Sequence, residues 1–180
     1  ETSTVYAKAE NNNGMGDVVS ATFTKETSGT MEIDNNGSKD GYVKANNDGT
    51  SPQVGTYTTL AIGAGSDAKQ NRAILDFDTS AIPSDATITR AYISIEYSSG
   101  AGDPWTGGTM VVDVKNGFFG SSDSVQTDDW LAAPTASAVA QISKLTSGVK
   151  NSTDFSTEGI SAINKSGVTQ LRLRFNWNPS

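Results

Sequence analysis

Carboxylates are the main side chains of this chain with a capacity for acid–base chemistry. It contains no histidine and no cysteine. That excludes Ser-His-Asp triads, histidine or cysteine metal sites, iron–sulfur clusters and thiol nucleophiles. What remains is the two-carboxylate chemistry of glycoside hydrolysis. Three pairs are candidates: Asp76 with Asp78, Asp128 with Asp129, and Glu96 with Asp113. Asp76 and Asp78 alternate onto one strand face, which converges charge. No aromatic sugar platform flanks them, and each pair also reads as a solvated turn or strand face. The expectation is a protein without catalytic residues.

Oxygen-rich loops offer a second chemistry. Asp34-Asn35-Asn36-Gly37-Ser38-Lys39-Asp40 places oxygens at alternating spacing, and Asn46-Asn47-Asp48 follows. Asp34, Asn36, Asp40 and Asp48 are candidate ligands for Ca2+, the one cofactor the sequence suggests. No glutamate stands where an EF-hand needs its bidentate ligand, and paired Asx turns explain the same residues. Trp105, in the loop Gly102-Asp103-Pro104-Trp105-Thr106-Gly107-Gly108, is the candidate for stacking on a polysaccharide. Trp130 lies on an apolar helical turn and reads as core. Asn36, Asn151 and Asn164 open glycosylation sequons.

These residues need a frame, and the sequence supplies strands. Serine, threonine, glycine and asparagine make up 74 of the 180 residues. Apolar residues alternate with period 2 between turn signals. Strands are predicted at Thr4–Ala9, Val18–Lys25, Thr30–Ile33, Gly41–Ala45, Thr58–Ile62, Arg72–Phe77, Thr87–Tyr97, Thr109–Val114, Ala138–Leu145 and Thr169–Trp177. In Thr87–Tyr97 the inward set is Ala91, Ile93, Ile95 and Tyr97. In the last strand Leu171, Leu173, Phe175 and Trp177 point inward, and Gln170, Arg172, Arg174 and Asn176 outward. Helical turns are predicted at Ser124–Leu131, stopped by Pro134, and at Ser156–Asn164, with Gly167 as terminator. The fold class expected is all-β: an antiparallel β-sandwich of jelly-roll type with one or two short helical turns in its connections.

The net charge of −7 gives no attraction to nucleic acid or anionic lipid. No apolar run reaches the roughly 18 residues of a membrane helix, so no membrane insertion is expected. The composition suits an extracellular or cell-surface protein, with any signal peptide already removed ahead of Glu1.

Several ordered blocks resemble one family. They are Lys39-Asp40-Gly41-Tyr42-Val43, Thr59-Leu60-Ala61-Ile62-Gly63, Asn71-Arg72-Ala73-Ile74-Leu75-Asp76-Phe77-Asp78-Thr79-Ser80-Ala81-Ile82-Pro83 and Ala86-Thr87-Ile88-Thr89-Arg90-Ala91. Near the end come Gly159-Ile160 and Ile163 through Phe175. Residues 39–177 resemble the DNRLRE-type domain of secreted and cell-surface proteins. The resemblance implies a jelly-roll accessory module, sometimes a carbohydrate binder, with no enzyme activity of its own.

Two departures from that family shape the functional expectation. Its members continue past the strand matching Leu171–Phe175 into one more strand. This chain instead carries about 38 residues ahead of the match, enough for two or three strands. Residues 1–38 are therefore read as an N-terminal extension and possible strand donor, and 39–180 as the sandwich. A sandwich short of a strand leaves backbone groups unpaired, and a strand from another subunit is one cure. Thr4, Val5, Tyr6, Ala7, Lys8, Ala9 and Trp177 are the candidate assembly residues. The expected function is a non-catalytic structural subunit of a surface filament or sheath, with itself as partner. The alternative is a carbohydrate-binding module.

Overall fold

In the computed structural model, residues 29–55, 60–64, 69–99 and 103–176 are described. The predicted strands Thr4–Ala9 and Val18–Lys25 lie outside the described residues, as do all of Thr4 to Ala9 and Trp177 among the assembly candidates. The chain divides into Glu1–Met31 and Glu32–Ser180, and the fold below is that of the second unit.

Among the described residues nine strands form two antiparallel sheets. They are β1 (Gly41–Ala45), β2 (Gln53–Gly55), β3 (Gly63–Ala64), β4 (Gln70–Asp78), β5 (Ser94–Tyr97), β6 (Met110–Asn116), β7 (Ala136–Ile142), β8 (Gly148–Asn151) and β9 (Val168–Phe175). The large sheet runs β2-β1-β4-β9-β6-β7, with β3 also paired to β4. The small sheet pairs β5 with β8. The only regular helix among the described residues, α1 (Thr157–Ser161), is a single turn capped by the Ser156 hydroxyl. A 3-10 turn spans Thr127–Trp130. The molecule is thus an all-β antiparallel sandwich.

Strand periodicity sets the front of the large sheet. Ala73, Leu75, Met110, Val112, Val114, Leu171, Leu173 and Phe175 form one apolar layer. The small sheet, α1 and connecting segments cover it with Ile93, Phe155 and Ala162, joined by half-buried Leu60, Ile62, Ile95 and Leu145. Each fully buried Val, Leu or Phe contributes about 1.5–3 kcal/mol. The α1 turn sits close because Gly159 has no side chain: a Cβ there would come within 2.6 Å of Val139 on β7.

Several sequence expectations are corrected. Thr30–Ile33 forms no strand, and Asn35 makes only an isolated bridge to Phe77. The strand expected over Thr87–Tyr97 is a ladder only from Ser94. Earlier in that segment the Ser152 hydroxyl takes a ladder partner's place, accepting from the Ile93 N–H. The inward set itself holds: Ile93 is buried, Ala91, Ile95 and Tyr97 are half-buried, and Arg90, Tyr92, Ser94 and Glu96 are exposed. Phe77, Leu60 and Ile62 are half-buried. The α1 turn ends at an Ala162 cap in right-handed conformation, so Gly167 does not terminate it. The short β2 and β8 carry too few alternating apolar residues to be read from sequence. Among the described residues no helix is long and apolar enough to cross a membrane.

Candidate functional site

The back of the large sheet holds the densest polar chemistry among the described residues. Gln170 and Arg172 alternate with the apolar residues of β9, yet they are 1% and 4% exposed. Their expected outward orientation is right in register, but the face is not wet. The reason is the connection from β6 to β7. Residues 117–132 fold across this face and bury it beneath Phe119 and Trp130, both fully enclosed.

Asp113 is the centre of the cluster. It is wholly buried. Its Oδ2 accepts from Arg172 Nε and Nη2 at 3.1 and 2.9 Å, and from Arg174 Nε at 2.8 Å. Its Oδ1 accepts from Arg174 Nη2 at 3.0 Å, the Ser137 hydroxyl at 2.9 Å and the Ala138 N–H at 2.9 Å. The last contact exists because the β6–β7 register shifts here: Val112 pairs with Ala140, but Val114 pairs with Ala136. Ala138, in the bulge, takes φ 51°. That strain is offset by its bond to a carboxylate. Burial pushes the Asp113 carboxyl up, but the Arg174 hydrogen bonds and the Arg172 charge outweigh it and hold it at about 2.

Three other side chains tie the covering segment to the sheet. Arg172 donates through Nη1 to the carbonyls of Asp129 and Ala132, both at 2.9 Å, and stacks over the Phe119 ring. Gln170 accepts from the Phe119 N–H and donates to Asp76 and to the Asp123 carbonyl. Arg72 lies 3.7 Å over the Trp130 ring and donates to the Trp130 carbonyl. Burial, with Arg172 and Arg174 nearby, pulls Arg72 down to about 10. This is a latch: each contact holds the segment in place, and no oxygen of Asp113 is left to take or give a proton. Asp129 differs. Its Oδ2 closes a capping box with Gln126, and burial pushes its carboxyl up to about 6, helped by Asp128.

Of the expected carboxylate pairs Glu96 and Asp113 are kept apart, while Asp76 and Asp78 share a strand face and Asp78 adds to the push on the Asp76 carboxyl. Asp113 lies behind the large sheet, while Glu96 is exposed on the small one. Asp76 is buried against Gln170, whereas exposed Asp78 accepts from the N–H and hydroxyl of Ser80 in its own turn. Asp128 and Asp129 do lie together.

The calcium candidates sit in turns. Asp40 is buried, accepts from the Asp76 N–H at 2.8 Å and is bonded by the Asn35 amide. Burial pushes its carboxyl up against those bonds. Asn36 accepts from Ser38, and Asp48 from the N–H and hydroxyl of Thr50. Asp34 is exposed. Among the described residues no three metal-binding side chains of the His, Cys, Asp and Glu type cluster.

Trp105 is half-buried, edge-on to Phe175 with ring centroids 5.0 Å apart, and donates to the Ile142 carbonyl at 3.2 Å. The sequon residues Asn36 and Asn151 are exposed; Asn164 uses its side chain to close the turn into β9.

No family model, curated protein or solved structure matches the chain. The latch residues Arg72, Gln170, Arg172 and Arg174 were missed as a group because alternation alone assigns them to water. One signal was present. Met110-Val111-Val112-Asp113-Val114 is apolar on both faces, which marks a strand covered on both sides. An aspartate in such a strand needs a buried cation, and β9 supplies two.

Proposed function

We propose that this chain is a non-catalytic structural subunit of an extracellular filament or sheath, assembled from copies of itself by strand donation or edge pairing. One observation carries the reading. Among the described residues the small sheet has two strands, four residues each, facing a seven-stranded sheet. Half-buried Leu60, Ile62, Phe77, Ile95 and Leu145 rim the core between them. An added strand would complete their burial.

The free edges of the large sheet suit pairing less well. β2 is three residues long, and β7 carries the bulge at Ala138. Short and bulged edges resist pairing. The donor proposed is Thr4–Ala9 of another copy, whose Val5, Ala7 and Ala9 fall on one face of an extended segment. Backbone bonds would contribute roughly 0.5–1.5 kcal/mol each, with apolar burial in addition. The resemblance of residues 39–177 to secreted DNRLRE-type domains supports the extracellular setting.

Negative-stain imaging and light scattering of the full chain and of a chain lacking residues 1–10 test this. The full chain should form fibres; the truncated chain should fold, stay monomeric and bind a peptide of residues 1–10. A full chain that remains monomeric at high concentration, with truncation only lowering Tm, rules out donation. Monomers retarded on a polysaccharide gel would favour the carbohydrate-binding reading instead.

A further inference from the structure

Asp129 presents a buried oxygen that the latch does not use. Its residue is 1% exposed. Oδ2 accepts from the Gln126 N–H at 2.8 Å, but Oδ1 is buried with no hydrogen-bond partner. A charged oxygen kept from water without a partner is costly and calls for a proton or a cation. The nearby guanidinium groups give Asp129 Oδ1 no hydrogen bond: Arg172 holds Asp113 and the Asp129 main chain and reaches the Asp129 carboxyl only through its charge, and Arg72 covers Trp130, its own Nε also buried without a partner.

The unpartnered oxygen lies against Gly120. Gly120 has φ 59°, a conformation glycine adopts without strain. A Cβ built on Gly120 would lie under 3.0 Å from both Asp129 Oδ1 and Asp128 Oδ1. The two carboxylate oxygens therefore converge on one side of a residue that has no side chain to obstruct them. Like charges so placed repel each other, and nothing among the described contacts bridges them.

We propose that Asp128 and Asp129 bind a hard divalent cation, calcium by class, beside Gly120 in the connection between β6 and β7. The donors are oxygens, which suits calcium with its 6–8 oxygen ligands at 2.3–2.6 Å. The rest of such a shell would have to come from main-chain carbonyls and water. Zinc is disfavoured because the chain has no histidine or cysteine. Bound there, the cation would clamp the segment that covers the back of the sheet, at the point where Trp130 follows Asp129 in the chain.

Terbium is the probe, because the Trp130 indole next to the site can sensitise its emission. The full-length chain excited at the tryptophan band should give saturable terbium emission that calcium displaces. Calcium at about 100-fold excess over its Kd should raise Tm by about 5 °C. Asp128→Asn and Asp129→Asn should each weaken terbium binding at least about tenfold, one lost charge-assisted ligand being worth that much. Asp128 is exposed, so its variant keeps the fold and isolates the ligand effect. Saturable emission that both variants leave unchanged, or a chain with neither saturable emission nor a calcium-dependent Tm, overturns the proposal.

Discussion

Both faces of the large sheet are buried along the middle of β9 but are held by different physics. On the front, Leu171, Leu173 and Phe175 pack with Val112, Val114 and Leu75, and contact without direction suffices. On the back, Gln170 and Arg172 are just as enclosed, yet each must find particular partners: Asp113, Asp76 and the carbonyls of the covering segment. A front-face residue tolerates an apolar neighbour of similar size. A back-face residue that loses its partner leaves a charge stranded. The difference teaches that strand alternation sorts residues by polarity, not by exposure.

The sharpest test of the comparison is Asp113→Ala. It strands Arg172 and Arg174 without a counter-charge and should cost about 3–5 kcal/mol in urea unfolding. A loss below about 1 kcal/mol would show that water reaches this face. Replacing Asp113, Arg172 and Arg174 together with apolar residues of matched volume should recover most of that loss, because the charges are then removed as a set.

On the front, Leu173→Ala removes a side chain that is 1% exposed and should cost about 2–4 kcal/mol through lost transfer energy and a cavity. Unlike Asp113→Ala, its effect should not depend on pH between 2 and 5.

Acid separates the faces further. Asp113 is held at about 2, below its ordinary 3.8. Its ionisation therefore adds stability above about pH 4, worth about 2 kcal/mol, which is lost as pH falls through 2. Asp40 and Asp76 are pushed the other way by burial, so protonating them on acidification returns some stability. Carboxyl carbon NMR should show Asp113 titrating last, well after Asp76. An Asp113 midpoint near 4 would contradict the guanidinium clamp.

The smallest effect is expected at the surface. Arg90 pairs with Asp154 at 2.8 Å, but both side chains are more than half exposed. Arg90→Ala should change stability by under about 0.5 kcal/mol. A larger change would mean that Arg90 acts through its packing on the Tyr92 ring and not through charge.

Much of the frame was legible. Gly41–Ala45 is recovered to the residue, and β4, β6 and β9 to within two or three at each end. These strands have long, regular alternation with turn residues on both sides. β2, β3 and β8 lack it: Gln53-Val54-Gly55, Gly63-Ala64 and Gly148-Val149-Lys150-Asn151 become strands only by lying beside a partner. Apart from the two-sided apolar run around Asp113, the polar latch was illegible for a related reason. Arg72, Asp113 and Arg172 are far apart in sequence, and only β4, β9 and β6 lying side by side brings them to one face.

The sequence by itself determined the chemical limits: with no histidine or cysteine, acid–base and metal chemistry falls to carboxylates and other oxygen donors. It also determined the class, because period-2 alternation can bury an apolar face only as strands. Tertiary structure alone decided which polar residues are dry. Whether Arg172 meets water depends on where residues 117–132 lie, and that segment has no periodicity to declare its path. Its course follows from the hydrogen bonds that Gln170 and Arg172 make to its backbone and from the burial of Phe119 and Trp130. Those interactions exist only once the sheet is assembled, and along the chain only the two-sided apolar run around Asp113 hints at a covered face.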